Sequence, residues 1–426
     1  MKVASKLVVA ALATGMSLTG FAQQDRSMQF YRPDGQDGLN VFETSKEDTV
    51  EFKGINVRLG GDFTIQFQGL SQENSGDSLN TLGSDFNLPT ANMDIDVQLE
   101  DGVRLHLRTY LSSRNHNDSW VKGGHLQIDK LDFINEGFLS GFMEMATIRV
   151  GLDEFNYGDA HFRRSDNGNS IYNPFVGNYI MDAFSTEVFG ELTLQKNGFI
   201  GVVGLTNGKL NQSTVVNSNP TDPNSEDEDR APSIFGKLGY DKQINDDFRF
   251  RLTGSFYSNQ GEATGGYLYG GDRAGARYYN VMDDNYTSGR YNPRFKKLTA
   301  IQINPFVKYK GLEFFGVYEM ISGGELENET KEGSFTQLGA ELLYRFGGKN
   351  QFYVGGRYNS VSGEQTEDAE TQTIDRMNVG GGWFLTKNVV TKVEYMTQSY
   401  SGKAYEGSKY EDGSFNGVMI EAAISF

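Results

Sequence analysis

The sequence has 426 residues, of which 37% are hydrophobic and 13% aromatic, and it contains 52 glycines, 8 prolines and no cysteine. The absence of cysteine excludes thiol chemistry, cysteine-ligated metals and disulfide bonds, and the formal net charge of -17 excludes a basic surface for nucleic acid. Low hydrophobicity combined with many aromatic residues and glycines is typical of β-strands that are wet on one side.

Residues 1–22 have the features of a secretory signal peptide. Lys2 and Lys6 give a positively charged start, an apolar run follows, and a cleavage site of small residues ends at Ala22. The apolar run is too short to span a membrane as a helix, and no later stretch has about 18 consecutive apolar residues. The protein is therefore predicted to be exported and to cross a membrane only as a closed barrel, which satisfies the backbone polar groups in lipid.

Residues 23–52 are polar and rich in turn-forming residues, and we interpret them as a periplasmic N-terminal extension that precedes the barrel. Asp34 and Asp37 lie in an Asp/Gly cluster that shares features with a calcium-binding loop. The cluster lacks the ordered acidic positions and the final glutamate of such a loop, so a plain turn is the favoured interpretation.

Residues 53–426 alternate between apolar and polar side chains over many short segments, which is the period of a β-strand. Val57, Leu59 and Phe63 alternate with polar neighbours in the first segment, and a tight turn after Glu100 joins two further segments into a hairpin. A chain of this length commonly forms two or three domains, and a single large barrel is the exception. We predict an all-β fold, a transmembrane antiparallel β-barrel of about sixteen strands.

The last stretch, residues 417–426, closes the predicted barrel. Ile424 and Phe426 fall on one face of this strand and Glu421 on the other. A terminal strand with an unpaired edge would template aggregation, and closing the sheet removes that edge. We therefore expect this strand to pair with residues 56–68, with Glu421 pointing into the lumen.

Connections alternate between short and long, as they do in outer-membrane barrels with short periplasmic turns and long extracellular loops. The long connections are predicted at residues 71–90, 154–181, 207–230 and 261–297. Aromatic residues near the strand ends are expected to form a girdle at the membrane interface. These residues are Tyr309, Tyr344, Phe346, Trp383 and Tyr395.

The third surface loop, residues 154–181, is the candidate for narrowing a barrel that is too wide for wall side chains to fill. We hypothesise that it folds into the lumen, with Arg163 and Arg164 facing acidic residues across an eyelet, where a transverse field filters polar solutes. The predicted pore-constriction residues are Asp159, His161, Arg163, Arg164, Asp166, Glu187 and Glu191. The alternative is a surface loop with solvated charges.

A second group of charged residues lies on the predicted inward faces. This lumen basic patch consists of Arg58, Arg104, Arg108, Arg249 and Arg251. Guanidinium groups suit an anion such as phosphate, sulfate or a carboxylate. The favoured alternative is ion pairing with Asp94 and Asp96, which the hairpin places beside Arg104 and Arg108.

The signal peptide, the alternating strands, the long third loop and the terminal Phe426 together resemble the Gram-negative outer-membrane porins over residues 52–426. Within these porins, residues 148–152 and the aromatic-rich residues 154–158 are similar to the phosphate-selective porin O and P-like branch. The resemblance implies a trimer, with Ile424 and Phe426 closing the barrel and signalling to the outer-membrane assembly machinery. The predicted lumen departs from the basic ladder of that branch, because it mixes arginine with aspartate and glutamate.

We therefore predict a porin in the cell outer membrane that passes small hydrophilic solutes by passive diffusion. Two alternatives stay open: a channel that prefers phosphate, another anion or an oligosaccharide, and a surface adhesion barrel with a plugged lumen. No metalloprotease, nucleophile-elbow or Walker motif occurs, so no enzyme activity, metal or cofactor is expected. The expected partners are outer-membrane lipids and lipopolysaccharide. Divalent ions could bridge lipopolysaccharide phosphates to the acidic runs at residues 225–229 and 364–370. The alternative is that these runs are solvated.

Overall fold

The computed structural model describes residues 28–48, 50–112, 119–165, 168–209, 214, 221, 231–261, 267–270, 277–284, 289–324 and 331–426. The predicted signal peptide, the acidic run at residues 225–229 and Asp166 lie outside the described residues. Within the described part of the chain, the fold is built almost entirely from β-strands.

Sixteen strands form one antiparallel sheet, as the alternating sequence pattern predicts. In chain order they are β1 (Asn56–Glu73), β2 (Asp85–Glu100), β3 (Val103–Ser112), β4 (Trp120–Ile128), β5 (Ala146–Glu154), β6 (Thr186–Lys196), β7 (Phe199–Thr206), β8 (Ser233–Asn245), β9 (Phe248–Asn259), β10 (Lys297–Tyr309), β11 (Leu312–Gly324), β12 (Gly333–Phe346), β13 (Phe352–Glu364), β14 (Gln372–Thr386), β15 (Val389–Ser401) and β16 (Ser414–Ser425).

Helical structure is confined to short segments of the described residues. They are α1 (Ser140–Met143) and 3₁₀ segments at Gly35–Gly38, Ala160–Arg163, Tyr267–Tyr269, Val281–Asp283 and Lys403–Tyr405. None of the helices in the described residues has the length and apolar character needed to cross a membrane.

The sheet closes on itself because β1 pairs with β16, while every other neighbouring pair is consecutive in sequence. In the closing pair, Phe63 lies opposite Ile424, and the backbones of Gly61 and Phe426 exchange two hydrogen bonds of 3.1 Å. The predictions of a closed sixteen-stranded barrel and of its closing strand are confirmed. The paired part of β1 is residues 62–73 and not 56–68, because barrel strands are staggered against one another.

The two faces of the barrel wall differ in chemistry. Apolar residues of the outer face, such as Phe199, Val203 and Leu238, are exposed, whereas inward side chains are largely polar or charged and buried. Glu421 is buried on the inner face and Phe426 is exposed on the outer face, as the alternation predicts. The distribution is the reverse of that in a water-soluble protein, where large apolar side chains are mostly buried.

Aromatic rings form a continuous row on the outer face. Ring centroids are 6.1 Å apart between Tyr344 and Phe346, 5.6 Å between Phe346 and Phe352, and 5.7 Å between Phe352 and Trp383. All four residues lie at the ends of their strands or close to them, as the predicted girdle requires. Tyr395 is exposed but lies in the middle of β15, so it does not belong to a strand end.

The connections differ between the two ends of the barrel. At one end, which we call the turn end, most are short, and the exception is residues 129–145, which carry α1. At the opposite loop end, two long connections concern the site: L3 (residues 155–185) and L5 (residues 260–296). The predicted first long loop shrinks to residues 74–84, because β1 and β2 extend beyond their predicted ends.

The largest apolar cluster lies where L3 and L5 meet the inner wall. Phe155 and Val176 of L3 and Tyr278 of L5 belong to one buried cluster with Tyr257 of β9 and Met419 of β16. The rings of Phe155 and Tyr257 stack at 5.7 Å. The hydrophobic core therefore lies between loops and wall and not between two sheets.

Candidate functional site

L3 contacts the inner wall along β8 to β15, and we call this part of the barrel the covered wall. Backbone N–H groups of the loop donate to inward side chains, from Val176 to Glu394 at 3.0 Å and from Met181 to Gln337 at 2.9 Å. Lys392 of β15 donates in turn to the backbone carbonyl of Ser170 at 2.6 Å. The loop backbone thus uses the wall as its hydrogen-bonding partner, which a buried loop requires.

Two arginines and a glycine of the covered wall fix the middle of L3. Arg357 donates to the carbonyl of Gly177 at 2.8 Å, and Arg376 donates to that of Asn178 at 2.6 Å. Gly339 of β12 allows the ring of Tyr179 to approach, since a Cβ at this position would lie 2.5 Å from the ring. A larger residue there would force the ring of Tyr179 to move.

The charged side chains of L3 also pair with the covered wall. The carboxylate of Asp159 accepts hydrogen bonds from Arg251 at 2.7 Å and from Lys237 at 2.8 Å. Arg163 pairs with Glu341 of β12 at 2.8 Å. Burial alone would raise the pKa of Asp159, but Arg251 and Lys237 lower it to about 2.

A second anchor joins L3 to L5. Arg164 donates to one oxygen of Asp182 at 2.7 Å, and Arg290 of L5 donates to the other oxygen at 2.6 Å. Burial opposes ionisation of this carboxyl group, but the two arginines lower the pKa of Asp182 to about 2. The ionised carboxylate therefore holds two loops together at neutral pH.

The partners of the two loop arginines differ from the predicted ones. The sequence predicts that Arg163 and Arg164 face Asp159, Asp166, Glu187 or Glu191 across an eyelet. Arg163 instead pairs with Glu341 and Arg164 with Asp182, while Asp166 lies outside the described residues. The physical reason is that L3 runs along the wall, so that Asp159 and Arg163 reach different strands.

The other predicted constriction residues take partners of their own. Glu187 of β6 accepts a hydrogen bond from the Tyr257 hydroxyl at 2.9 Å. Glu191, also on β6, accepts a hydrogen bond from the backbone N–H of Asn156 at 3.0 Å. The Nε2 atom of His161 lies 3.1 Å from the side-chain oxygen of Asn156. Burial lowers the pKa of His161. Glu191 and His161 are thus close together, whereas Glu187 belongs to a separate hydrogen-bonded group.

The inward faces of β1 to β6, which we call the open wall, carry ion pairs between neighbouring strands. Asp94 lies directly opposite Arg108 in the β2–β3 register and accepts a hydrogen bond from it at 2.7 Å. Asp96 lies opposite His106 and accepts a hydrogen bond from Arg104 at 3.2 Å. These are the pairs that the hairpin predicts, so the arginines are neutralised within the wall.

The same pattern continues across the rest of the open wall. His125 of β4 lies 2.7 Å from Asp153 of β5, and Arg149 of β5 pairs with Glu191 of β6 at 3.1 Å. The rings of His106 and His125 lie 5.3 Å apart. Acid and base therefore alternate along this face, which carries no unbroken basic ladder.

The predicted lumen basic patch is divided between the two walls. Arg58, Arg104 and Arg108 lie on β1 and β3 of the open wall. Arg249 and Arg251 lie on β9 of the covered wall, where Arg249 pairs with Asp241 of β8 at 2.6 Å. The strand order separates the two groups, because β9 is far from β1 in the ring.

A cavity of about 220 Å³ lies between the open wall, L3 and residues 28–48. Its lining combines cations, acids and aromatic rings, among them Tyr31, Asp34, Phe42, Glu43, Thr44, Asp62, Asp94, Arg104, His106, Arg108, His125, Arg149, Asp153, Glu154, His161, Phe162, Tyr172 and Glu191. A space bordered by both signs of charge suits water and small polar solutes and not apolar ones.

Residues 28–48 contribute to this site in a way that the sequence does not indicate. Glu43 accepts a hydrogen bond from Arg251 at 2.7 Å and pairs with Lys237 at 3.4 Å, the same two cations that bind Asp159. Burial would raise the pKa of Glu43, but Arg251 and Lys237 hold it well below its usual range. The segment has no periodic pattern that would have predicted these contacts.

Among the described residues, no group of three or more histidine, cysteine, aspartate or glutamate side chains is arranged to hold a metal ion. Four acidic residues that line the cavity have arginine, histidine or lysine as partners: Asp94, Asp153, Glu191 and Glu43.

Comparisons with known proteins place the fold in a class. Protein-family models gave no match to this chain, and neither did the curated proteins. Solved structures do match, and they show that the chain has the fold of the sixteen-stranded outer-membrane porins.

Three solved structures illustrate the similarity. A loop-deletion mutant of OmpT, an outer membrane protein of Vibrio cholerae, has 10% identity and a TM-score of 0.52 over 88% of this chain and 100% of its own. An anion-selective porin from Comamonas acidovorans has 12% identity and a TM-score of 0.50 over 87% and 100%. The outer membrane channel DcaP of Acinetobacter baumannii has 10% identity and a TM-score of 0.53 over 88% and 99%.

Proposed function

We propose that the protein is an outer-membrane porin that lets small hydrophilic solutes diffuse passively, with L3 as the constriction. The observation that carries this proposal is the charged cavity of about 220 Å³ between the open wall and L3. Its lining is polar and ion-paired, so it offers solutes a path lined by fixed charges.

The architecture supports a channel in lipid. A sixteen-stranded barrel leaves a space that its own wall side chains cannot fill. The exposed apolar outer face and the aromatic row from Tyr344 to Trp383 suit a bilayer with interfacial rings. On this proposal the turn end faces the periplasm, and the loop end faces the outside, where lipopolysaccharide and divalent ions are the expected partners.

Assembly belongs to the same proposal. One solved structure with the same fold is described as a trimer form of the Vibrio cholerae OmpT. We expect this chain to form a homotrimer as well and to be inserted by the outer-membrane assembly machinery. Native mass spectrometry in detergent tests the oligomer directly.

The charge pattern supports weak ion selectivity in place of a phosphate preference. Arg104 and Arg108 have carboxylate partners in the neighbouring strand, so their charge is already balanced. Two of the similar solved structures are named an anion-selective porin and an outer membrane channel. An anion-preferring channel therefore remains the second candidate within transport.

A plugged adhesion barrel is the second candidate from another class. The observation that favours it is the filling of the lumen by L3, part of L5 and residues 28–48. A plugged barrel would give no ion current, whereas a porin does.

Planar-bilayer recording of the purified protein tests these proposals. We expect stepwise conductance, with a reversal potential near zero in a salt gradient. Deletion of residues 160–172 should raise the single-channel conductance at least about twofold, because it removes part of the constriction. Deletion of residues 366–370 in the connection between β13 and β14 serves as the control. Absence of steps supports the adhesion barrel, and a strongly anion-selective reversal potential supports the second transport candidate.

A further inference from the structure

Residues 28–48, which we call the collar, follow the inside of the turn-end rim. Its first contacts are from Gln29 to Asp101 after β2 at 2.9 Å and from Asp34 to Arg58 of β1. Gln36 then contacts two turns, at the Lys387 carbonyl after β14 at 2.6 Å and at the Lys349 carbonyl after β12 at 2.8 Å. The last contacts are from Asn40 to Glu313 of β11 at 2.9 Å, from Glu43 to Arg251 of β9 at 2.7 Å and from Lys46 to Asp129 after β4 at 2.8 Å. The segment therefore passes most of the strands in ring order.

The collar lies in the lumen and does not extend the wall. It contributes no strand to the sheet, whose closure is complete between β1 and β16. Tyr31, Phe42 and Thr44 of the collar line the same cavity as the open wall. A solute that crosses from this cavity to the turn end therefore meets the collar and not bare strand ends.

The collar is also joined to L3. Phe42 packs edge-on against Phe162 of L3 with ring centroids 5.7 Å apart. Arg251 donates at the same time to Glu43 and to Asp159 of L3, so one buried cation bridges both segments. Removing either carboxylate leaves the buried charge of Arg251 with less compensation.

We propose that the collar is a second selectivity element of the channel, in series with L3, in which Glu43 balances the charge of Arg251 and Lys237. This inference rests on the proposed porin function. It identifies small hydrophilic solutes of either charge as the class that passes, because Glu43 and Asp34 of the collar are paired with Arg251 and Arg58.

Cysteine labelling tests whether the collar borders the path, and the natural chain has no cysteine to interfere. Thr44→Cys is introduced into the full chain, and a trimethylammonium-ethyl methanethiosulfonate is added to both sides of the bilayer. We expect the single-channel conductance to fall to about half, because the bulky cation narrows the path, and a reductant to restore it. Glu136→Cys, exposed on the connection at residues 129–145, is the control that reacts without changing the current.

Charge removal tests the role of Glu43. Glu43→Gln should shift the permeability ratio toward anions by about twofold, because the charge of Arg251 and Lys237 is then less compensated. Glu43→Asp should restore most of the wild-type ratio. Glu136→Gln removes the same charge from the exposed turn-end surface and should leave the ratio unchanged.

The outcomes separate this inference from the function on which it rests. Wild-type protein that gives no conductance steps overturns both. If the wild-type protein conducts, two results for Thr44→Cys overturn the collar proposal alone. One is labelling without a change in current, and the other is a variant that mass spectrometry finds unlabelled. An unchanged permeability ratio in Glu43→Gln also contradicts the inference while leaving the porin function intact.

Discussion

The covered wall and the open wall are built from the same kinds of side chain, and they use them differently. On the covered wall, Lys392, Glu394 and Arg357 bind the backbone of L3. On the open wall, inward charges such as Arg108 and Asp94 pair with each other across neighbouring strands. One half of the lumen is therefore filled by a loop, and the other half borders a cavity.

The difference does not lie in whether inward charges find partners on neighbouring strands. Arg357 pairs with Glu341 of the adjacent strand at 2.7 Å, as Arg108 does with Asp94. The covered wall differs because its side chains also bind many backbone groups of L3, which a buried loop needs as partners.

The largest effect is expected from breaking a buried ion pair between the covered wall and β16. Lys392 and Glu421 pair at 2.6 Å, with side chains 1% and 0% exposed. We expect Lys392→Met to lower the free energy of unfolding by about 3 kcal/mol, because Glu421 is left buried without a cation. Urea unfolding in lipid vesicles measures the change.

Two further variants make this stability measurement decisive. The double variant Lys392→Met/Glu421→Leu should recover much of the lost stability, because no uncompensated charge remains. Lys130→Met is the control, since its pair with Asp101 is about a third exposed and contributes less than about 1 kcal/mol. Equal losses in Lys392→Met and Lys130→Met would contradict the burial of the covered wall.

A somewhat smaller effect is expected on the attachment of L3. Arg357→Met removes hydrogen bonds to the Gly177 carbonyl and to Asn173, each 2.8 Å long. Trypsin should then cleave after Arg163 or Arg164 about tenfold faster, because the loop leaves the wall more often. Arg104→Met on the open wall should leave the cleavage rate unchanged. Equal cleavage rates in Arg357→Met and Arg104→Met would contradict the attachment of L3 to the covered wall by Arg357.

The pH dependence of the loop follows from two carboxylates of L3. The pKa values of Asp159 and Asp182 are about 2, below the usual value of 3.8. A group with a lowered pKa stabilises the folded loop above its usual pKa, and this stabilisation is lost as the pH falls through the lower value. L3 should therefore stay anchored at pH 5 and detach progressively between about pH 4 and pH 2.

Single-channel conductance at a series of pH values measures this transition. We expect a constant value down to pH 5 and a higher value at pH 3 and below. An Asp159→Asn/Asp182→Asn variant should show the higher conductance already at neutral pH and little change with acid. A transition near pH 6 in the wild type would instead assign the anchoring to histidine.

The smallest effect is expected on ion selectivity. Arg149 of the open wall lines the cavity, so Arg149→Gln leaves Glu191 and Glu154 in excess there. We expect a shift of about twofold toward cations in the permeability ratio. Arg345→Gln on the covered wall, where Arg345 pairs with Glu313 at 2.9 Å, should change it little. The reversal potential in a potassium chloride gradient measures the permeability ratio of both variants. A larger shift in Arg345→Gln than in Arg149→Gln would contradict the assignment of the open wall as the one that borders the path.

The sequence predicts those features that depend on local periodicity. Alternation identifies the strands and their faces, including the inward Glu421 and the closing strand β16. Hairpin geometry also predicts which open-wall residues meet, because Asp94 and Arg108 face each other across a single tight turn. The phosphate-selective branch suggested by residues 148–158 stays a prediction, since the solved structures compare the fold alone.

The contacts of L3 and of the collar were beyond such reasoning. Arg163 and Glu341 are brought together by the closed barrel and not by any local pattern. Glu43 meets Arg251 for the same reason. Nothing in an aperiodic polar segment specifies which of many inward charges it will reach, because that depends on where the whole ring places them.

The pairing of β1 with β16 also sets an order of events during assembly. The two strands that form the seam are the first and the last of the barrel, so the ring cannot close until β16 meets β1. Contacts between such distant parts of a chain form slowly, because the intervening chain must lose its freedom first. L3 and the collar reach their positions in a space that is bounded only once this seam has formed. The interior is therefore bounded only after the seam forms, and a sheet without this seam has two unpaired edges.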